Sequence, residues 1–276
     1  MERVRTLLFA GGFHGPALLH RVLYGPLNKY LEVCCVLFEQ FPYGNTKNRI
    51  YTILNRLWED EARSPYEALR REAPRMAKEA GVHSETKPNF STFDVNNIID
   101  LFDVKLILSA TCGYIWRLRQ LERLEGNIFN FHPTGYVERG QEHQVLPRYV
   151  GTHAAVNILE DLARKRITGA EIVMHQATPA IDLGRIFARS GPIWGGPVWQ
   201  VKPYIGEQQK LHEEALQMQF VQCVTAHAVP TIAEQSLPYL LGLSKKRPAG
   251  VAKRELILEG MREARRSFEE RKKRSG

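Results

Sequence analysis

The chain has 276 residues, 43% hydrophobic, 25% charged and 9% aromatic, enough to bury a large core and ordinary for a globular protein. That composition excludes a mostly disordered chain, and no apolar run approaches the roughly 20 residues a membrane-spanning helix needs. The net charge of +8 invites a nucleic-acid partner, yet much of the excess lies in the C-terminal "KKRPAGVAKRELILEGMREARRSFEERKKRSG", whose alternating signs at helical spacing read as a solvated helix.

At the start, "MERVR" runs straight into "TLLFAGG", too short for a signal peptide, so a cytoplasmic protein is expected. "VRTLLFAGGFHGPALLHRVL" reads as a buried strand over Val4 to Ala10, a glycine-rich turn, and a helix opening near Pro16. "LEVCCVLFEQ" predicts a second strand. Its adjacent Cys34 and Cys35, like Cys112 and Cys223, lack metal-ligand spacing and read as buried thiols. A helical stretch broken near Pro65 then runs to Gly81, followed by the short strand "VHSETKPNF" and the helix "STFDVNNIIDLF". "VKLILSA" predicts a central strand, and "TCGYIWRLRQLERLEG" a loop and a helix closed by Gly126.

"NIFNFHP" is the next strand, ending at a loop that begins with Pro133. "HAAVNILEDLARK" predicts a helix, "TGAEIVMHQA" a strand, and "GRIFARSGPIW" its hairpin partner. Strands alternating with helices argue for an α/β fold, a Rossmann-like, mostly parallel sheet flanked by helices over 1–199. Residues 200–276 read as a helical C-terminal extension. In such sheets ligands bind at the carboxyl ends of strands.

Three stretches carry candidate chemistry. The turn "AGGFHG" sets backbone N–H groups at a helix start, which suits an anion as well as it suits a simple turn; it matches neither a Walker loop nor G-x-G-x-x-G. In "NIFNFHP" the period of two projects Asn130 and His132 from one face and Phe129 and Phe131 from the other. Two polar side chains side by side on a buried strand are costly unless something satisfies them. Further on, Asp182 in "ATPAIDLGRIF" is a turn carboxylate by itself. Beside an imidazole it would fix the ring's tautomer and raise its pKa.

The order Asn-x-His-Pro (Asn130, His132, Pro133), Tyr-x-Gly-x-His (Tyr149, Gly151, His153) and Asp-x-Gly (Asp182, Gly184) resembles the folate-dependent formyltransferases, among them the glycinamide ribonucleotide, methionyl-tRNA and amino-sugar enzymes. The resemblance spans residues 4–195. It implies transfer of a formyl group from 10-formyltetrahydrofolate, used as co-substrate, to an amine. Asn130 and His132 would stabilise the oxyanion and Asp182 would carry the proton, with no metal required. By the same resemblance Gly113, Tyr114, Ile115 and Trp116 would border the folate, with Thr178 to Ile181 as the opposite wall. Core packing is the plain alternative for Tyr114 and Trp116.

The chain departs from the family after His-Pro, where "TGYVERGQEHQVLPRYV" is longer than usual and adds Arg139, Glu142, His143 and Arg148. Such a loop suits acceptor recognition. Arg139, His143, Gly151, His153, Gly11 and Gly12 are thus the expected acceptor contacts. Extra length before Lys78 is similar to the hydroxyornithine transformylases of siderophore pathways, which formylate a hydroxylamine nitrogen. An amino-sugar or glycinamide ribonucleotide acceptor is the alternative, and a catalytically silent folate-binding homologue is the alternative of another class. Formyltetrahydrofolate hydrolases look similar here but carry an N-terminal regulatory domain, whereas this chain begins on the first strand. The helical extension argues against the β-barrel of a methionyl-tRNA enzyme, disfavours nucleic acid, and leaves a homodimer open.

Overall fold

The structure is a computed structural model, and it describes residues 2–39, 65–87, 90, 94–110, 114, 116–137, 149, 154–179, 184–193, 221 and 223–275. Seven strands form one sheet in the order β3-β2-β1-β4-β5-β6-β7: β1 Val4–Ala10, β2 Leu31–Glu39, β3 His83–Lys87, β4 Leu106–Ala110, β5 Ile128–Tyr136, β6 Gly169–Gln176 and β7 Ile186–Arg189. The first five run parallel, and β6 is antiparallel to both of its neighbours. The expected α/β, mostly parallel sheet is therefore present. Strands β1 and β4 lie near its centre; Leu7–Ala10 and the whole of β4 are buried and mostly apolar because helices cover both faces.

The helices are α1 His14–Tyr24, α2 Pro65–Glu79, α3 Asn96–Leu101, α4 Leu118–Arg123, α5 Ala154–Ala163, α6 Ala228–Leu240 and α7 Leu256–Ser275. On one face Leu18, Leu19 and Val22 of α1, Ala73 and Met76 of α2 and Val229 and Ile232 of α6 pack over Phe129, Phe131 and Met174. On the other, Ile98 and Ile99 of α3 and Leu121 of α4 pack with Trp116 over Leu7, Ile107 and Ile128. The helices α6 and α7 lie in the segment expected to be helical. The described charged side chains of helix α7 face outward or are half-exposed, with exposed pairs such as Arg265–Glu269. Among the described residues no helix is long and apolar enough to cross a membrane.

Two boundaries differ from the sequence reading. Helix α1 opens at His14 and not near Pro16, because burying Phe13 and His14 recruits the end of the glycine turn into the first helical turn. Strand β5 does not stop at Pro133 but runs on to Tyr136, paired throughout with β6. Strand β4 ends at Ala110 opposite Phe131, so Pro133 faces no parallel neighbour that would need its missing N–H. The first residues taken for loop are thus strand. The helical stretch expected before Pro65 lies outside the described residues.

Candidate active site

Strand pairing builds the site. Asn130 stands directly opposite His175 of β6 and, on its other side, opposite Ser109 of β4. Period-two alternation then places Ser109, Asn130, His132 and His175 on one face of the sheet, while Phe129, Phe131 and Met174 sink into the core on the other.

The hydrogen bonds fix how these groups are protonated. His175 Nδ1 lies 3.0 Å from the carbonyl oxygen of Gln176; a carbonyl only accepts, so Nδ1 carries the proton. That leaves Nε2 as acceptor for the Asn130 amide, whose Nδ2 donates to it at 3.2 Å. The two bonds together orient the Asn130 carboxamide as no local sequence feature could. His132 is the opposite tautomer: its Nε2–H donates to the Tyr149 carbonyl at 3.1 Å. The rings of His132 and His175 are 6.2 Å apart and nearly perpendicular. Tyr149 is itself held, its hydroxyl donating to Asp161 of α5 at 2.5 Å.

Glycines make the close approaches. A Cβ on Gly184 would lie 1.5 Å from the Gln176 carbonyl oxygen and 3.2 Å from His175 Nδ1, so the glycine of Asp-x-Gly is imposed by the strand it folds back onto. A Cβ on Gly135 would meet the Tyr149 ring at 2.8 Å. Farther along the same face of β6, Glu171 is wholly buried and accepts from Arg189 Nη1 at 2.5 Å. Its register partner on β5 is Thr134.

The turn after β1 is packed. Gly11 N donates to the Ala110 carbonyl at 3.0 Å and Gly12 adopts a left-handed φ of 53°. Phe13 and His14 have no exposure. Thr225 donates to the Val221 carbonyl, so its oxygen receives the His14 Nε2–H at 2.9 Å. Burial, with the nearby His132 adding to it, pushes His14 down to about 3 and keeps the ring neutral.

Sequence reasoning identified Asn130 and His132, and the strand geometry brings them together. It missed His175, the Tyr149 carbonyl and His14. His175 carried no such signal: only the structure shows "GAEIVMHQ" buried at every position, so that each polar residue in it needs a partner, and Glu171, His175 and Gln176 all have one. Trp116 is packed into the core with 4% exposure. The Tyr114 ring is half-buried against Phe9 and Trp116, and its hydroxyl accepts from Gln120. Thr178 is half-buried next to Ala177, which shares a cluster with Trp116. Asp182, Gly113, Ile115, Ile181, Arg139, His143, Gly151 and His153 lie outside the described residues. Among the described residues no group of three potential metal ligands is assembled.

No protein-family model matches the sequence, and no curated protein matches it. Solved structures similar to the chain include phosphoribosylglycinamide formyltransferase from Anaplasma phagocytophilum, 15% identical, covering 85% of this chain and 87% of that one with a TM-score of 0.45. The Brucella melitensis protein of the same name is 18% identical over 84% and 95%, with a TM-score of 0.45. A formyltetrahydrofolate deformylase from Pseudomonas putida KT2440 is 14% identical over 83% of this chain and 65% of that one, with a TM-score of 0.44.

Proposed function

We propose that the protein transfers a formyl group from 10-formyltetrahydrofolate to the amine or hydroxylamine nitrogen of a small metabolite, N5-hydroxyornithine being the acceptor the enlarged loops favour. The observation that carries the reading is the Asn130 amide, held by His175 beside His132 on one buried face. Asn130 is half-buried and His132 buried, and each is held in one orientation by a hydrogen bond, as a preorganised donor requires. The folate supplies an activated one-carbon unit and a nitrogen leaving group. A carboxamide has two N–H donors, so Asn130 can hold His175 and still donate to the oxyanion that develops on the formyl oxygen. His132, whose Nε2–H is engaged by the Tyr149 carbonyl, becomes a second donor through Nδ1 when it takes up the transferred proton. Asp182 takes the proton from the attacking nitrogen and passes it toward the departing folate nitrogen, directly or through His132.

The packed turn after β1 favours an acceptor without a phosphate there. Phe13 and His14 are fully buried, and His14 is neutral well below physiological pH, so this histidine offers no cation to an anion. The reading is tested by following tetrahydrofolate release by absorbance with hydroxyornithine, nucleotide-linked amino sugars and glycinamide ribonucleotide. Hydroxyornithine should turn over, and Asp182→Asn should lower kcat by a factor on the order of 10² or more while folate still binds. Turnover with another amine would replace the acceptor. Folate binding without any turnover marks a silent homologue, and absent folate binding removes the reading.

A further inference from the structure

The strand that carries His175 on its front is gripped from behind by the C-terminal helix. Gln176 alternates with His175, so its side chain enters the opposite face, where it is wholly buried. Its Nε2 donates to the carbonyls of Gly126 at 3.1 Å and of Ile257, in the first turn of α7, at 3.0 Å. Both are acceptors, so the amide cannot be reversed. Glycines stand on either side of it: a Cβ on Gly126 would lie 2.5 Å from Nε2, and one on Gly260 of α7 would lie 2.2 Å from Oε1. Sequence supplies room for this one amide twice.

Helix α7 also holds the other end of the β6–β7 connection. Arg185 follows Gly184 and pairs with Glu263 at 3.2 Å and Glu259 at 3.6 Å, one helical turn apart on α7. Its backbone carbonyl accepts from Gln176 N at 2.9 Å, and Ala252, just ahead of the helix, donates to the Phe187 carbonyl at 2.8 Å. The connection that contains Asp182 is therefore anchored at Gln176 and at Arg185, and both anchors reach α7. The Gln176 carbonyl that lies under Gly184 is the same one that fixes the His175 tautomer.

We infer that Gln176 and Arg185 are positioning residues through which helix α7 sets the His175 ring and the ends of the Asp182 connection. This rests on the formyl-transfer reading for its effect on rate, but its structural half does not. A helix that only covered apolar surface would need neither a buried amide clamped between two glycines nor a guanidinium shared between two of its acids.

The test uses the full chain, with Gln176→Leu and, because a buried substitution can unfold the protein, the half-exposed pair Glu259→Gln and Glu263→Gln together. Two readouts are taken: the His175 ring nitrogens by NMR, and kcat and KM with the acceptor that turns over. Both variants are expected to move the His175 nitrogen signals away from the Nδ1–H form. They should lower kcat roughly 10-fold or more, with the KM for the folate changed less. Salt should lower kcat in the wild type and lose that effect in the double variant, since half-exposed pairs are screened. Unchanged ring signals in both folded variants overturn the inference. So do moved signals with unchanged kcat. A wild type that transfers no formyl group fails the functional reading instead, and the ring signals still decide whether α7 sets His175.

Discussion

Asn130 and His175 act as one unit at the residue scale. An Asn amide on a strand can rotate between two nearly equivalent settings, and what selects one here is an imidazole lone pair aimed at it from the neighbouring strand. Asn130→Ala should lower kcat/KM by a factor on the order of 10² to 10³, the usual cost of an oxyanion donor. His175→Ala should cost less, because the amide remains but loses its orientation. Groups in direct contact are not additive, so the double variant should lose little beyond Asn130→Ala; a fully multiplicative loss in steady-state kinetics would show that the two act separately. Asn130 and His132 were legible because Asn-x-His on an apolar strand is costly without a purpose. His175 was not, since a single His in a strand has many harmless explanations until its register partner is known.

Glycines determine how the elements meet, and they do so for different reasons. Gly184 lies against backbone, with its would-be Cβ 1.5 Å from a carbonyl oxygen, so only movement of the chain could relieve Gly184→Ala. Gly135 lies against two side chains, Tyr149 and Ile167, which can give more readily than backbone. Gly81 has φ +70° and nothing within 4 Å, leaving only the backbone cost. Denaturant unfolding should therefore rank them: Gly184→Ala at about 3 kcal/mol or more, Gly135→Ala and Gly81→Ala nearer 1 kcal/mol. Gly135→Ala should also disturb turnover, because the ring it displaces belongs to the residue whose carbonyl holds His132; Gly81→Ala should leave turnover unchanged. Equal destabilisation by all three would refute the steric account. The strands and helices were largely readable from period and punctuation. The run of β5 past Pro133 was not, because a proline ends a strand only where a neighbour needs its N–H.

Two desolvated titratable groups contribute opposing pH slopes to the stability of the whole molecule. His14 is held neutral down to about 3, so below its ordinary value near 6.5 the unfolded chain binds a proton the folded one refuses. Stability from this group falls as pH drops from about 6.5 to about 3. Glu39, half-buried at the end of β2, is raised to about 8 by desolvation although the Phe90 N–H opposes it. Above 4.5 the unfolded chain releases this proton and the folded one keeps it, so stability falls as pH rises toward 8. Each slope is about 1.4 kcal/mol per pH unit, and they cancel between about 4.5 and 6.5. Urea midpoints should plateau in that window, and Glu39→Gln should flatten the limb above about 6.5 and turn the plateau into a rise with pH while leaving the limb below about 4.5 unchanged; an unchanged alkaline slope would remove Glu39 as its cause. The sequence by itself determined the class of fold, the order of its elements and the Asn130–His132 face, because hydrophobic period and turn residues act over a few neighbours. Only the tertiary structure decided that His175 orients Asn130, that His14 is sealed and neutral, and that α7 reaches the back of β6. Those depend on which strands and helices become neighbours, and that is settled by packing between residues far apart in the chain.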